Sequence, residues 1–383
     1  MASHEHRSLR YAYGFDDVAI APGDVTLNPD QTDLSLKFGE ITFNIPILAA
    51  AMDGVVDPGF AILFSKFGGL AVLNLEGVHS RYENPDEVLA RIAAAPDQEV
   101  TPLLQKIYSA PLKEELVAKC IRRIKAAGAT CAVSVTPAST KKLAPVIVEA
   151  GADILVVQST VTTARHLSKS YRGLIFSELC SSVPIPVVVG NCVSYEAAYE
   201  LMETGIAGLL VGVGPGAACT TREVLGVGVP QVTATMDVAA ARDDYFRASG
   251  RYVSVITDGG MTHSGDICKA IAAGADGVML GSIMAQAKEA PGHGYHWGMA
   301  TPHPGLPRGT RVKVGISGSL EQILFGPSSV TGGTHNLVGA IRTGMGMCGA
   351  PTIRDMQKAN LLIAPAIKTE GKVFQMRQQS GKS

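Results

Sequence analysis

Eight short apolar runs, rich in β-branched residues and separated in most cases by helical patterns, set the strongest limit on how this chain can fold. They are PILAAAM (46–52), GLAVLNL (69–75), TCAVSV (130–135), DILVVQS (153–159), PIPVVVGN (184–191), GLLVGVG (208–214), YVSVITDGG (252–260) and DGVMLGS (276–282). Several lack polar alternation, as expected of parallel strands covered on both faces. Two intervening segments, 194–207 and 264–275, each open on a serine and end near glycine, the signature of a capped helix. The phrase AAGA or EAGA precedes a strand at 126–129, 149–152 and 272–275, marking a repeated helix-to-strand turn too short to prove duplication. Eight strands in β/α order predict an α/β fold, a closed (β/α)8 TIM barrel. A doubly wound sheet is the alternative, since closure leaves no mark on periodicity.

The chain has 383 residues, 46% of them hydrophobic, enough for one large core. We read 1–383 as a single barrel domain, with a mobile flap over 291–320 and a C-terminal extension after strand eight. A net charge of −1 and a pI near 6.8 argue against a nucleic-acid groove or a basic membrane face. No apolar run reaches the roughly 18 residues of a membrane span. The opening MASHEHRSLRYAYGFDD has no apolar signal core, so a cytoplasmic location is expected. The seven cysteines (120, 131, 180, 192, 219, 268 and 348) form no CxxC pair, against a disulfide framework or a zinc site. Most fit apolar segments and read as buried thiols.

Barrel chemistry sits at the C-terminal ends of the strands, and the polar motifs fall there. TDGG (257–260) ends strand seven and GS (281–282) ends strand eight, loops that in barrels often bind phosphate through backbone N–H groups. Asp258 is placed to accept hydrogen bonds from ribose hydroxyls; the plainer alternative is a turn at Gly259 and Gly260 capped by Asp258. After strand six, GVGPGAACTTREVLG (212–226) has the wrong glycine spacing for a dinucleotide fingerprint. A free cysteine is usually inert core, but Cys219 follows a small, polar, glycine-rich loop. That setting favours a nucleophile able to attack an electrophilic carbon.

These residues resemble the IMP dehydrogenase / GMP reductase family over nearly the whole chain. The shared motifs are FDDVAIAPG (15–23), IPILAAAMD (45–53), VVVGN (187–191), GVGPGAACTTREVLGVGVPQ (212–231), DGGMTHSGDICKAIAAGAD (258–276) and VMLGSIMAQAKEAPG (278–292). The chain is most similar to the short bacterial branch that lacks the CBS pair; only 96–115, a short connection, lies where that insert would be. The resemblance implies that Cys219 attacks purine C2 of a nucleoside monophosphate, that hydride passes to NAD, and that water hydrolyses the thioimidate. It implies Thr221 beside the nucleophile and Met52, Asn191, Asp258, Gly259, Gly260, Gly281, Ser282 and Met299 around the substrate. The cofactor side would be Gln158, Ser159 and Thr160. A potassium ion would take the carbonyls of Gly214, Gly216 and Cys219, completed by Glu370 and Gly371 of a neighbouring subunit, which implies a homotetramer.

The chain also departs from the family pattern around ligands. Gln158 stands for the NAD-side aspartate, Leu210 for a nucleotide-side arginine, Ala50 and Ala217 for two phosphate-side serines, and Val314 for the base-edge Gln or Glu. These losses bear on which purine is bound more than on the reaction type. The flap lacks the family's Arg-Tyr pair. Arg308 or Arg311 could take the arginine's place, with His303 as another base candidate, although each could equally be a surface residue. Arg308 is taken as the catalytic candidate. His293, His296 and Trp297 read as lid packing. IMP oxidation by NAD is the first expectation. GMP reductase is second, weakened because 291–320 contains no Asp or Glu. A non-catalytic nucleotide-binding paralogue is third.

Overall fold

The computed structural model describes residues 9–166, 173–298 and 310–366. All eight apolar runs become strands of one closed parallel barrel: β1 Ile47–Ala49, β2 Leu70–Asn74, β3 Ala132–Val135, β4 Ile154–Gln158, β5 Val187–Cys192, β6 Gly208–Val211, β7 Ser254–Asp258 and β8 Gly277–Leu280. The ring closes where β8 pairs with β1 through Val278–Ile47 and Leu280–Ala49, so the doubly wound alternative is excluded. The outer helices are α1 Pro58–Lys66, α2 Glu114–Ala126, α3 Pro137–Glu149, α4 Phe176–Ser182, α5 Tyr195–Glu203, α6 Gln231–Ser249, α7 Ser264–Ala272 and α8 Leu337–Met347. Ser194 caps α5 as expected, accepting from the Ala197 N–H at 3.4 Å. Ser264 does not cap α7. It is the first helical residue, and Asp266 reaches back to the Thr262 and His263 amides at 2.9 and 3.3 Å.

Strand alternation divides the apolar residues into two layers. Leu48, Leu70, Val72, Ala132, Ile154, Val156, Val188, Leu210, Ile256 and Met279 fill the lumen, while Leu155, Val157, Val187, Val189, Val255 and Val278 pack outward against the helices. The lumen is closed below by the hairpin Leu36–Phe38/Ile41–Phe43, whose Phe38 and Phe43 rings meet edge-on at 6.1 Å. Period two then decides what lies at the upper mouth. Two residues beyond Val156, Ile256 and Met279, the next inward positions are Gln158, Asp258 and Gly281. Leu210 belongs to the dry lumen, wholly buried, and presents no polar group to a nucleotide.

The 96–115 connection contains a twelve-residue helix, Asp97–Tyr108, which follows a helix over Pro85–Ala94. Together these helices hold the two ends of the expected flap. Tyr295–Trp297 pairs antiparallel with Arg311–Lys313. The indole N–H of Trp297 donates to Tyr108 Oη at 2.7 Å, and the Tyr108 hydroxyl donates to Asp53 Oδ2 at 2.7 Å. Arg311 donates to the carbonyls of Ile92 and Ala93 at 2.6 and 3.0 Å and pairs with Asp97 at 2.6 Å. Its guanidinium also lies 4.6 Å from the centroid of the Tyr295 ring. Arg311 therefore fastens one leg of the flap to the helical pair, and its charge is already taken up there.

Candidate active site

The site begins with the loop between β6 and the short helix Thr221–Leu225. Gly214 has φ +74°, and a Cβ there would come 2.5 Å from Arg222 Cγ. Only glycine allows that approach, which lets Arg222 staple the loop by donating to the carbonyls of Val213 at 3.2 Å and Val229 at 2.6 Å. Within the staple the Cys219 amide donates to Gly216 O at 3.0 Å. Cys219 is exposed, and its Sγ lies 3.1 Å from Oγ1 of the buried Thr221. When the sulfur is ionised, the hydroxyl must be the donor. The other six thiols have a different setting. Burial pushes Cys120 and Cys180 up to about 11 and Cys131, Cys192 and Cys268 up to about 12, and it raises Cys348. Cys120, Cys131, Cys192 and Cys268 are buried, so most of the thiols are core thiols as expected, while Cys180 and Cys348 are half-buried.

Gln231, the first residue of α6, ties this loop to the end of β7. Its side-chain amide donates to Val211 O at 2.8 Å and Asp258 O at 2.9 Å. On the inward side of the mouth, Asp258 Oδ2 accepts from Asn191 Nδ2 at 2.8 Å and from Gln158 Nε2 at 3.0 Å. Gln158 Nε2 also donates to Asn191 Oδ1 at 3.0 Å, closing a three-residue ring. Burial, partly offset by these two amide donors, raises the Asp258 carboxyl from 3.8 to about 6. Asn191 reaches the ring because the β5–β6 register shifts between Gly190 and Cys192. The β4 loop fixes its backbone: Asn191 N–H donates to Ser159 O at 3.0 Å, and Asn191 O accepts from the Thr162 N–H at 2.8 Å.

At the adjoining strand ends, Gly259 and Gly260 have φ of +82° and +81°, conformations that favour glycine in the turn read as the phosphate end. Their neighbour Gly281 faces Met52: a Cβ there would come 3.1 Å from Met52 Sδ. Ser282 Oγ lies 2.9 Å from Nε2 of His296, and His296 Nδ1 is buried without a partner among the described residues. Burial lowers the His296 imidazole to about 4. Trp297 packs against Tyr108 in the helical pair, whereas His296, read from sequence as lid packing beside it, meets Ser282 instead. No periodicity connects it with Ser282, fourteen residues earlier.

The positions expected to hold the cofactor are largely committed elsewhere. Gln158 is spent on Asn191 and Asp258, and Ser159 Oγ meets Val161 O at 3.0 Å and Thr162 Oγ1 at 2.8 Å. From 158 to 166 the β4 loop carries no carboxylate for a dinucleotide ribose, and of the three expected residues only Thr160 has a side chain with no hydrogen bond among the described residues. For potassium, the carbonyls of Gly214, Gly216 and Cys219 share one loop, but Gly216 O already accepts the Cys219 amide. Glu370 and Gly371 lie outside the described residues, as do Met299, His303 and Arg308. No group of three or more His, Cys, Asp or Glu side chains among the described residues is arranged to hold a metal ion.

The sequence model of the IMP dehydrogenase / GMP reductase domain matches residues 12–300. The chain belongs to the IMP dehydrogenase / GMP reductase family. Within it, an uncharacterized oxidoreductase of Mycolicibacterium smegmatis is 39% identical, with 93% of this chain and 98% of that protein covered. Inosine-5'-monophosphate dehydrogenase of Methanocaldococcus jannaschii is 28% identical, with 92% of each covered. The crystal structure of an IMP dehydrogenase/GMP reductase-like protein from Corynebacterium glutamicum superposes with a TM-score of 0.89 at 36% identity, covering 95% and 97% of the two chains. The near-complete coverage of relatives of similar length places the chain with a short branch of the family. No helix among the described residues is long and apolar enough to cross a membrane.

Proposed function

We propose that the barrel mouth binds a purine nucleoside 5'-monophosphate and oxidises it at C2, IMP to XMP, through a covalent Cys219 adduct. The observation that carries this reading is the exposed Cys219 thiol held 3.1 Å from Thr221 Oγ1, on a loop bridged by Gln231 to the strand end that bears Asp258. Asp258 and Asn191 would meet the ribose. Gly259, Gly260, Gly281 and Ser282 would meet the phosphate, with Met52 beside them.

The thiolate adds to C2, forming the S–C bond. Loss of hydride from C2 leaves a thioimidate. Water then attacks C2, the C–S bond breaks, and Cys219 returns as the leaving thiolate, giving XMP. Thr221 Oγ1 donates to the sulfur as an anion and so favours it both before attack and on departure. The balanced reaction is IMP + NAD+ + H2O → XMP + NADH + H+. A nicotinamide dinucleotide, when bound, would supply the hydride-accepting chemistry, with Thr160 the expected residue left to meet it. The water's base is left unassigned; Arg311 is excluded by its flap contacts.

The reading extends to a homotetramer, which light scattering on the purified protein would check. The catalytic test is NADH absorbance with IMP and NAD+ in potassium buffer, for the wild type and Cys219→Ala. Cys219-dependent formation of NADH and XMP is expected. Saturable IMP binding without turnover would instead mark a nucleotide-binding paralogue. Turnover of GMP with NADPH would reassign the reaction to the reductase side of the family.

A further inference from the structure

We propose that Gln158 is a positioning residue on the nucleotide side of the mouth, orienting Asp258 and Asn191 for the ribose. This rests on the nucleoside-monophosphate reading above. The two hydrogens of Gln158 Nε2 are both used, one on Asn191 Oδ1 and one on Asp258 Oδ2, each at 3.0 Å. Asn191 Nδ2 closes the ring on the same carboxylate oxygen at 2.8 Å. The opposite amide orientation at position 158 would set Oε1 against two oxygen acceptors, so the ring fixes which way all three side chains point. Asp258 Oδ2 is thereby saturated by neutral donors, and among the described residues Oδ1 takes no hydrogen bond. Oδ1 is the oxygen presented to the ribose hydroxyls.

The strands themselves impose this arrangement. Inward parity brings Gln158 and Asp258 to one rim, and the β5 register shift delivers Asn191 between them. A carboxylate at position 158 would lie about 3 Å from Asp258 Oδ2, where two ionised groups cannot coexist without sharing a proton. The amide supplies two donors instead and leaves the charge of Asp258 for the ligand. The groups facing that carboxylate are the Asn191 and Gln158 amides, with the side chains of the adjacent lumen layer, Leu210 and Met279, apolar. No charged side chain among the described residues acts on it.

The test compares affinities for IMP and for its 2'-deoxy and 3'-deoxy analogues, by calorimetry on the full chain, in wild type, Gln158→Leu and Gln158→Glu. A carboxylate-to-hydroxyl contact sets the expected scale at about tenfold or more in favour of IMP for the wild type. In Gln158→Leu that ratio falls toward one, while affinity for the deoxy analogues stays within about twofold. A residue that merely stabilised the fold would weaken all the nucleotides alike. In the wild type the ratio rises as Asp258 ionises, whereas in Gln158→Glu it is highest while the carboxyl pair shares a proton and falls as the second proton leaves. The nucleotide phosphate also titrates near pH 6, but it is common to all the ligands and cancels in the ratio. If Gln158→Leu does not fold, the near-isosteric Gln158→Glu decides alone. Wild-type discrimination in either folded variant, or a change confined to NAD+ saturation, overturns the proposal. A wild type that binds none of the nucleotides removes the underlying reading and the proposal with it.

Discussion

Replacing Asp258 with asparagine should make the protein more stable at neutral pH while disabling the ribose side of the site. Burial holds the carboxyl up at about 6 against an ordinary 3.8, so it is easier to ionise in the unfolded chain than in the native one. The native state therefore binds more protons between these values, and stability contributed by the neutral acid is lost as pH rises through about 6. A rise of this size corresponds to about 3 kcal/mol at pH 7.5, an order-of-magnitude figure. Asparagine mimics the protonated acid: its Oδ1 can keep accepting from Asn191 and Gln158, and it never ionises. Urea denaturation from pH 4 to 8 should show Asp258→Asn above the wild type by about 1–3 kcal/mol at pH 7.5. The gap should narrow steadily as pH falls toward 4. A gap that does not vary with pH, or a variant less stable at pH 7.5, would refute the reasoning. The same substitution should abolish preference for IMP over its deoxy analogues, marking the carboxylate as a place where stability is given up for binding.

Other perturbations test different parts of the molecule. Arg242, 1% exposed, donates to Asp276 at 2.9 Å and to Gly274 O at 2.8 Å beneath the barrel, while Asp276 also accepts from Tyr252, Val255 and Gln357. Arg242→Ala leaves that carboxylate buried without its cation, and chemical denaturation should show a loss of about 3–5 kcal/mol. Tyr108→Phe removes the partner of the indole N–H and one donor to buried Asp53, which should cost about 1–3 kcal/mol. Trp297 is the single tryptophan, so emission spectra of folded Tyr108→Phe should report the changed surroundings of the flap root, and an unaltered spectrum would deny the contact. His296 is lowered to about 4, so the unfolded chain takes up its proton first, and the stability that the neutral imidazole contributes is lost as pH drops from 6.5 to 4, against the opposite change at Asp258. Relative to His296→Gln that loss should reach about 3 kcal/mol, measured by denaturation at both pH values.

The sequence carried the barrel well because its information is local: each strand announces itself in a few β-branched residues, and period two fixes which of them face inward. Cys219 stood out for a similar reason, the small polar loop around it being contiguous in the chain. What escaped was pairing at long range. Gln158, Asn191 and Asp258 come together across separations of 33, 67 and 100 positions, and a register shift that no propensity announces brings Asn191 into the ring. The resemblance points position 158 at the cofactor, whereas its hydrogen bonds run to Asn191 and Asp258 on the expected substrate side. Arg311 looked available because its charge was visible in the sequence and its partners, carbonyls more than two hundred residues away, were not. His296 escaped because a histidine between two aromatic residues carries no sign of the serine it meets.

The central claim is that Cys219 becomes covalently attached to the purine. Wild-type protein mixed with IMP and NAD+, quenched in acid within the first turnover and digested, can be read by mass spectrometry. A nucleotide adduct is expected on the peptide bearing Cys219, absent when NAD+ is omitted and absent from Cys219→Ala. Formation of XMP with no adduct at any time point, or an adduct on another of the seven cysteines, would contradict it.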